Sequence, residues 1–167
     1  MEQKPDRPRI TGPEEIIDLA SGYQKSRIIL TAFELDVFTA VGDGMVPAEE
    51  VARTIGAHPK STERFLNALC GIGLLEKKDD FYFNTDVSAR YLVKGSKDYL
   101  ARIGHMLNLY RSWGTLTEAV RKGRSVTARE YDETSLMHFI AAMHHRARDK
   151  ADALVSFIDL EGVQRVL

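Results

Sequence analysis

The sequence predicts a mostly α-helical protein: a winged helix-turn-helix domain with a small β-hairpin wing and a long C-terminal helix, dimerising through its helices. Three stretches carry this expectation. Val51 to Asn84, VARTIGAHPKSTERFLNALCGIGLLEKKDDFYFN, reads as a helix, a tight Gly56-Ala57-His58-Pro59 turn, a second helix and a hairpin. Glu133 to Asp159 keeps apolar residues at helical spacing. Ser26 to Gly44 is apolar on nearly every face, so more than one neighbour has to cover it, from its own domain or from another chain.

Taken in order, residues 1–13 read as a flexible, polar start. Pro13, Glu14 and Glu15 then place proline and acids where a helix begins, and Ile16, Ile17, Leu19 and Ala20 follow in a first short helix. In SRIILTAFELDVFTAVGDG, Ile29, Phe33, Val37 and Val41 recur at i+4, with Ile28, Leu30, Leu35 and Phe38 on other faces, which predicts one helix stopped by Gly42-Asp43-Gly44. Pro47 to Glu50 opens the first helix of the helix-turn-helix and Gly56 closes it. Ser61 and Thr62 are expected to cap the second helix, whose Phe65, Leu66, Leu69, Cys70 and Ile72 recur at helical spacing up to Gly73. LLEKKDDFYFN gives two short strands around Lys78, Asp79 and Asp80, with Phe81 and Phe83 on one side and Tyr82 on the other.

Helical spacing resumes from Tyr99 to Lys122, with Leu100, Ile103, Leu107 and Tyr110 on one stripe, and Leu116 and Val120 on a second helix after Gly114. Gly123 to Glu130 is a polar connector. The long helix then carries Leu136, Ile140, Met143, Ala147, Ala151, Leu154 and Ile158 at i+3 or i+4, and spans on the order of 40 Å, a strut between two bodies. VQRVL at the end alternates like the start of a strand. The expected organisation is a winged-helix dimerisation domain over 14–122, a connector and linking helix over 123–160, and a first strand over 161–167.

Bulk properties narrow the function classes. At 167 residues and 44% hydrophobic the chain can bury a real core, and 23 Lys and Arg against 24 Asp and Glu exert no general pull on a polyanion. The single cysteine, Cys70, excludes an intrachain disulfide and has no partner thiol for a redox or zinc motif. The polar N-terminus has no signal-peptide core and no run reaches membrane-span length, so a cytoplasmic protein that does not engage a membrane is expected.

The candidate sites divide by chemistry. On the second helix of the helix-turn-helix Lys60, Arg64 and Asn67 point outward and the wing adds Lys77 and Lys78, but Glu63, Asp79 and Asp80 sit among them, which argues against phosphate binding. His145 and Asp149 stand one turn apart, whereas His138 lies about 10 Å of rise from His145, so no four-ligand metal set is complete. Cys70 lacks a histidine at helical spacing and the serines lack a nucleophile elbow, so no catalytic residue is assigned. The glycines of Gly42-x-Gly44 and Gly71-x-Gly73 act as helix stops, without the βα turn of a dinucleotide-type site.

The ordered motifs GLL at Gly73, W..L.EAV..G from Trp113 and F..AM from Phe139 make the chain, from about Ser26 to Leu167, resemble the N-terminal half of the S-adenosylmethionine-dependent O-methyltransferases. These are the enzymes of bacterial secondary metabolism and of caffeate and hydroxyindole methylation. The resemblance implies a homodimer formed through the N-terminal helices and an aromatic hydroxyl small molecule as acceptor. It implies that Phe139 and Met143, with His144, Trp113 and Tyr110, contact that acceptor; each is equally at home as a core residue. It further implies that VQRVL begins a Rossmann-like domain absent from this chain, whose glycine-rich loop, ribose-binding acid and general-base histidine would hold and use S-adenosylmethionine. The chain alone is therefore expected neither to bind cofactor nor to turn over. A stand-alone winged-helix DNA-binding regulator, or one subunit of a split methyltransferase, are the alternatives.

Overall fold

A computed structural model describes residues 9–127 and 133–157 of the chain. Residues 1–8 of the expected flexible start, 128–132 beyond the connector's first half, and 158–167 with the expected strand lie outside the described residues, as do Ile158 and Asp159 of the expected long helix. The chain divides into two compact units, the first ending at Ala89 and the second beginning at Arg90.

The first unit opens with α1 (Pro13–Ser21) and α2 (Tyr23–Glu34). Thr11 fastens the start of α1: its backbone N–H donates to Glu15 Oε2 at 3.0 Å and its hydroxyl to Glu15 Oε1. This bonding holds the Glu15 carboxyl below its ordinary range. No residue of α1 is buried, and Ile16, Ile17 and Leu19 stand exposed.

The single helix expected from Ser26 to Val41 is two. After α2 the chain turns at Leu35 and Asp36, and α3 (Val37–Val41) starts in a new direction. Asp36 adopts the left-handed region at φ 56, ψ 32, a conformation that aspartate tolerates better than most side chains. The break has a packing cause. A straight helix would spread the apolar residues round its circumference, whereas the turn brings Leu30, Ala32, Phe33, Val37, Phe38 and Val41 all into buried positions.

The next elements are β1 (Val46–Pro47), α4 (Ala48–Thr54), α5 (Pro59–Gly71), β2 (Leu75–Lys78) and β3 (Phe81–Asn84), so the predicted helix, turn, helix and hairpin follow in order. Gly56 at φ 65 ends α4: Ala57 N–H donates to the Ala52 carbonyl at 2.8 Å and Gly56 N–H to that of Arg53. Gly73 at φ 77 ends α5 in the same way, through Leu74 to Leu69 and Gly73 to Cys70. Both are the left-handed stops that glycine adopts without steric penalty. The expected caps Ser61 and Thr62 instead lie inside the first turn of α5. His58 is the N-cap, Pro59 follows it, and the Thr62 hydroxyl donates back to the His58 carbonyl at 3.1 Å.

The strands form one antiparallel sheet in the order β1, β3, β2, with Val46 opposite Tyr82 and Lys77 opposite the same residue on the other side. The sequence showed no sign of β1, which is two residues long and ends in a proline, as an edge strand can. The hairpin turns through Asp79 at φ 54. Alternation in β3 holds, and Tyr82 is the side that enters the core, where its hydroxyl donates to Asn67 Oδ1 at 2.9 Å. Asn84 Nδ2 donates to the carbonyls of Phe38 at 2.9 Å and Gly42 at 2.8 Å, so β3 satisfies the end of α3. The core so closed contains Val51, Leu66, Leu69 and Leu75, with the buried Ser88 hydroxyl bonded to Asn84 and Thr85.

α6 (Asp86–Leu92) begins in the first unit and ends in the second; the sequence reading did not include it. In the second unit Arg90 Nε pairs with Asp98 at 2.6 Å and Leu100 N–H donates to the Tyr91 carbonyl at 2.9 Å. These bonds fold back the loop that leads to α7 (Ile103–Trp113), which therefore starts after the predicted Tyr99. α8 (Leu116–Lys122) and α9 (Glu133–Ser156) follow, and α9 packs on α7.

Candidate functional site

The residues singled out from sequence concentrate on α7 and α9, so the site begins with how these helices meet. Ile103, Gly104 and Leu107 are buried on α7, with Tyr110 half-buried on the same predicted stripe. On α9 the less exposed positions are Ser135, His138, Ala141, Ala142 and His145. The predicted stripe of Leu136, Ile140, Met143 and Leu154 is instead exposed. The seam recurs at steps of three and four and is built from small and imidazole side chains, because that is the face on which a helix can come close to Gly104.

Two contacts define the seam. A Cβ built on Gly104 would overlap the imidazole of His138, so the ring occupies the space that any other residue at 104 would fill. One residue further along each helix, the rings of His105 and Phe139 meet edge to face, with centroids 5.5 Å apart and planes at 69°. Beside them His105 Nδ1 and Asn108 Nδ2 are enclosed without a hydrogen-bond partner among the described residues. Leaving such a group unsatisfied costs about 1–3 kcal/mol.

Phe139 (39% exposed) and Met143 (36% exposed) flank this seam one turn apart. They share a face and remain half open, so they form a continuous apolar strip. His144 is exposed, and five residues from Phe139 it points away from that strip. Tyr110 and Trp113 lie further along α7 than the Gly104–His105 contacts. Trp113 is 68% exposed and lines its own open cavity of about 240 Å³ with Leu116, Ala119, Val126 and Thr127. The structure therefore groups Phe139 and Met143, and gives Trp113 separate surroundings. Sequence reading missed Gly104, His105 and Asn108. The available signal was Gly104, a glycine inside a helical pattern, which marks close backbone approach.

The other candidates have plainer surroundings. His138 is committed to the α7 seam, the Asp149 side chain lies outside the described residues, and among the described residues no three His, Cys, Asp or Glu gather as metal ligands would. On the basic face Asn67 accepts from Tyr82, and the Lys77 ammonium sits 4.9 Å from the centre of the Tyr82 ring. Its pKa is raised, first by the Tyr82 hydroxyl and then with Glu63 and Asp80 contributing. Burial pushes the Cys70 thiol up, which disfavours its reactive thiolate form. Among the described residues no helix is long and apolar enough to cross a membrane.

A cofactor site needs a strand leading through a glycine turn into a helix. Among the described residues the sheet is antiparallel throughout, and Gly42 and Gly44 lead from α3 into the short edge strand β1. Gly42 and Gly44 therefore do not form such a turn.

Comparison with known proteins adds the family. Residues 17–94 match the O-methyltransferase dimerisation domain. The tetracenomycin polyketide synthesis 8-O-methyl transferase TcmO of Streptomyces glaucescens is 33% identical over 117 residues, covering 68% of this chain and 34% of that protein. The 3-hydroxy-5-methyl-1-naphthoate 3-O-methyltransferase of Streptomyces sahachiroi is 30% identical over 169 residues, 96% of this chain and 49% of that protein. Human N-acetylserotonin methyltransferase, solved in complex with SAM, superposes with a TM-score of 0.68 at 26% identity, over 91% of this chain and 50% of that one. The chain thus spans a third to a half of the length of these relatives. It carries, over residues 17–94, the dimerisation domain of the O-methyltransferase family.

Proposed function

We propose that this chain is the dimerisation and substrate-recognition region of an S-adenosylmethionine-dependent small-molecule O-methyltransferase. It pairs with a second copy through its N-terminal helices, and its helix-turn-helix and wing serve as a scaffold for that pairing and not as a reader of DNA. Cofactor and general base belong to a Rossmann-like domain beyond this chain, which is not catalytic alone. The observation that carries this reading is the 30% identity to a hydroxynaphthoate O-methyltransferase, which runs over 96% of the chain and so includes α7 and α9 as well as the dimerisation domain.

The physical features support the same assignment. α1 exposes Ile16, Ile17 and Leu19 together, a surface for a second copy to cover. Phe139 and Met143 offer an aromatic face and a polarisable thioether to a planar acceptor, with Tyr110, Trp113 and His144 further out. Such a wall excludes water and fixes the plane of the acceptor ring; methyl transfer then depends on holding the hydroxyl in line with the donor. No step of the transfer itself is assigned to these residues.

The test is to incubate the full-length protein, this chain together with the cofactor domain proposed to accompany it, with S-adenosylmethionine and 3-hydroxy-1-naphthoate or N-acetylserotonin and follow the product by mass spectrometry. One added methyl on the hydroxyl is the expected result. A salt-sensitive, sequence-specific gel shift with no methylated product would favour the DNA-binding regulator instead.

A further inference from the structure

We propose that Gly104 and His138 act as a key that sets how α9 sits on α7, and that through this key they position Phe139 and Met143 for the acceptor. The inference rests on the reading of α9 as part of the acceptor wall. It goes beyond that reading by naming positioning residues that do not themselves touch the acceptor.

Gly104 is buried at the second position of α7, in its first turn, where helix formation itself makes no demand for glycine. The reason for glycine is spatial: the His138 ring lies where a Cβ would stand. The adjoining pair, His105 against Phe139, is fixed at 5.5 Å edge to face. Two successive contacts along the same two helices determine both the rotation and the sliding position of α9. Phe139 is the second residue of that lock and Met143 follows it by one turn, so the orientation of both is set by whether His138 enters the notch. A Cβ at 104 has to expel the ring or lift the helix. Either movement turns the Phe139 and Met143 strip away from its seat.

The prediction is a rescue. In the full-length protein with its cofactor domain, calorimetric titration with 3-hydroxy-1-naphthoate or N-acetylserotonin is compared for the wild type, Gly104→Ala, His138→Ala and the double variant, each with its thermal midpoint. Gly104→Ala is expected to weaken acceptor binding at least tenfold and to raise KM for the acceptor while leaving kcat within about threefold, since the cofactor side is untouched. The double variant is expected to recover to the level of His138→Ala, because removing the ring reopens the space. If Gly104→Ala does not fold, the double variant carries the test, and its failure to fold and bind overturns the proposal. A lowered thermal midpoint with unchanged affinity and KM also overturns it, leaving the proposed function intact. Absence of acceptor binding and methylation in the wild type overturns the proposed function itself, and with it this inference.

Discussion

The two units use apolar side chains in opposite ways. In the first, Leu30, Phe33, Val37, Phe38, Val51, Leu66, Leu69 and Tyr82 converge on one core, and the polar groups within it are bonded: Tyr82 to Asn67, Asn84 to two carbonyls, Ser88 to its neighbours. In the second, α9 turns Ser135, His138 and Ala142 towards α7 and leaves Leu136, Ile140, Leu154 and Val155 exposed. Two side-chain nitrogens on α7 stay unsatisfied among the described residues. Apolar content alone therefore does not show where a core is. The helix-turn-helix core of the first unit is closed by its own residues, with the exposed apolar side chains of that unit concentrated on α1, while in the second unit the long helix itself carries a face fit for a ligand or further chain to cover.

The largest test of this contrast is truncation. Phe38→Ala removes a fully buried ring and should cost about 3–5 kcal/mol in urea unfolding, whereas Leu154→Ala on the exposed face should stay within about 0.5 kcal/mol. Equal losses at the two positions would erase the distinction. Next in size is Asn84→Ala, which orphans the Gly42 carbonyl and leaves the Phe38 carbonyl only the Gly42 N–H, and should cost about 1–3 kcal/mol, measured in the same melts. At Asp36 the left-handed backbone makes the identity of the replacement decisive: Asp36→Val should be about 1–2 kcal/mol less stable than Asp36→Gly. Smallest of all, the Cys70 thiol should react slowly with a disulfide reagent near neutrality in the folded protein and faster once unfolded. Its raised pKa means that any stability it confers is present below the unfolded value and is lost as pH rises through the folded one.

Much of the first unit was legible in the sequence because its punctuation is local. Gly56 and Gly73 mark helix ends by a conformation that only a few residues accept, and the alternation of Phe81, Tyr82 and Phe83 marks a strand. The break at Asp36 was hidden, since i+4 spacing continues through it and only the demand to bury every face at once decides for a turn. The caps at Ser61 and Thr62 were misplaced because Pro59 lets the helix start earlier. In α9 the periodicity was real but chose the wrong face: Leu136, Ile140 and Met143 announce an apolar stripe, while the contact with α7 depends on Gly104 admitting His138, a steric fact that periodicity does not encode. Motif resemblance directs attention to Phe139 and Met143, whereas the contacts of Gly104 and His105 emerge only from three-dimensional packing.

On the proposed function, the exposed apolar face of α1 is covered by a second copy of the chain. The most direct test is the solution mass by light scattering after size exclusion, for the chain and for its Ile16→Ser, Ile17→Ser variant. Twice 18.8 kDa is expected for the chain and a shift towards 18.8 kDa for the variant, with its unfolding midpoint in the monomeric state unchanged. A chain that runs at 18.8 kDa at every accessible concentration would contradict it.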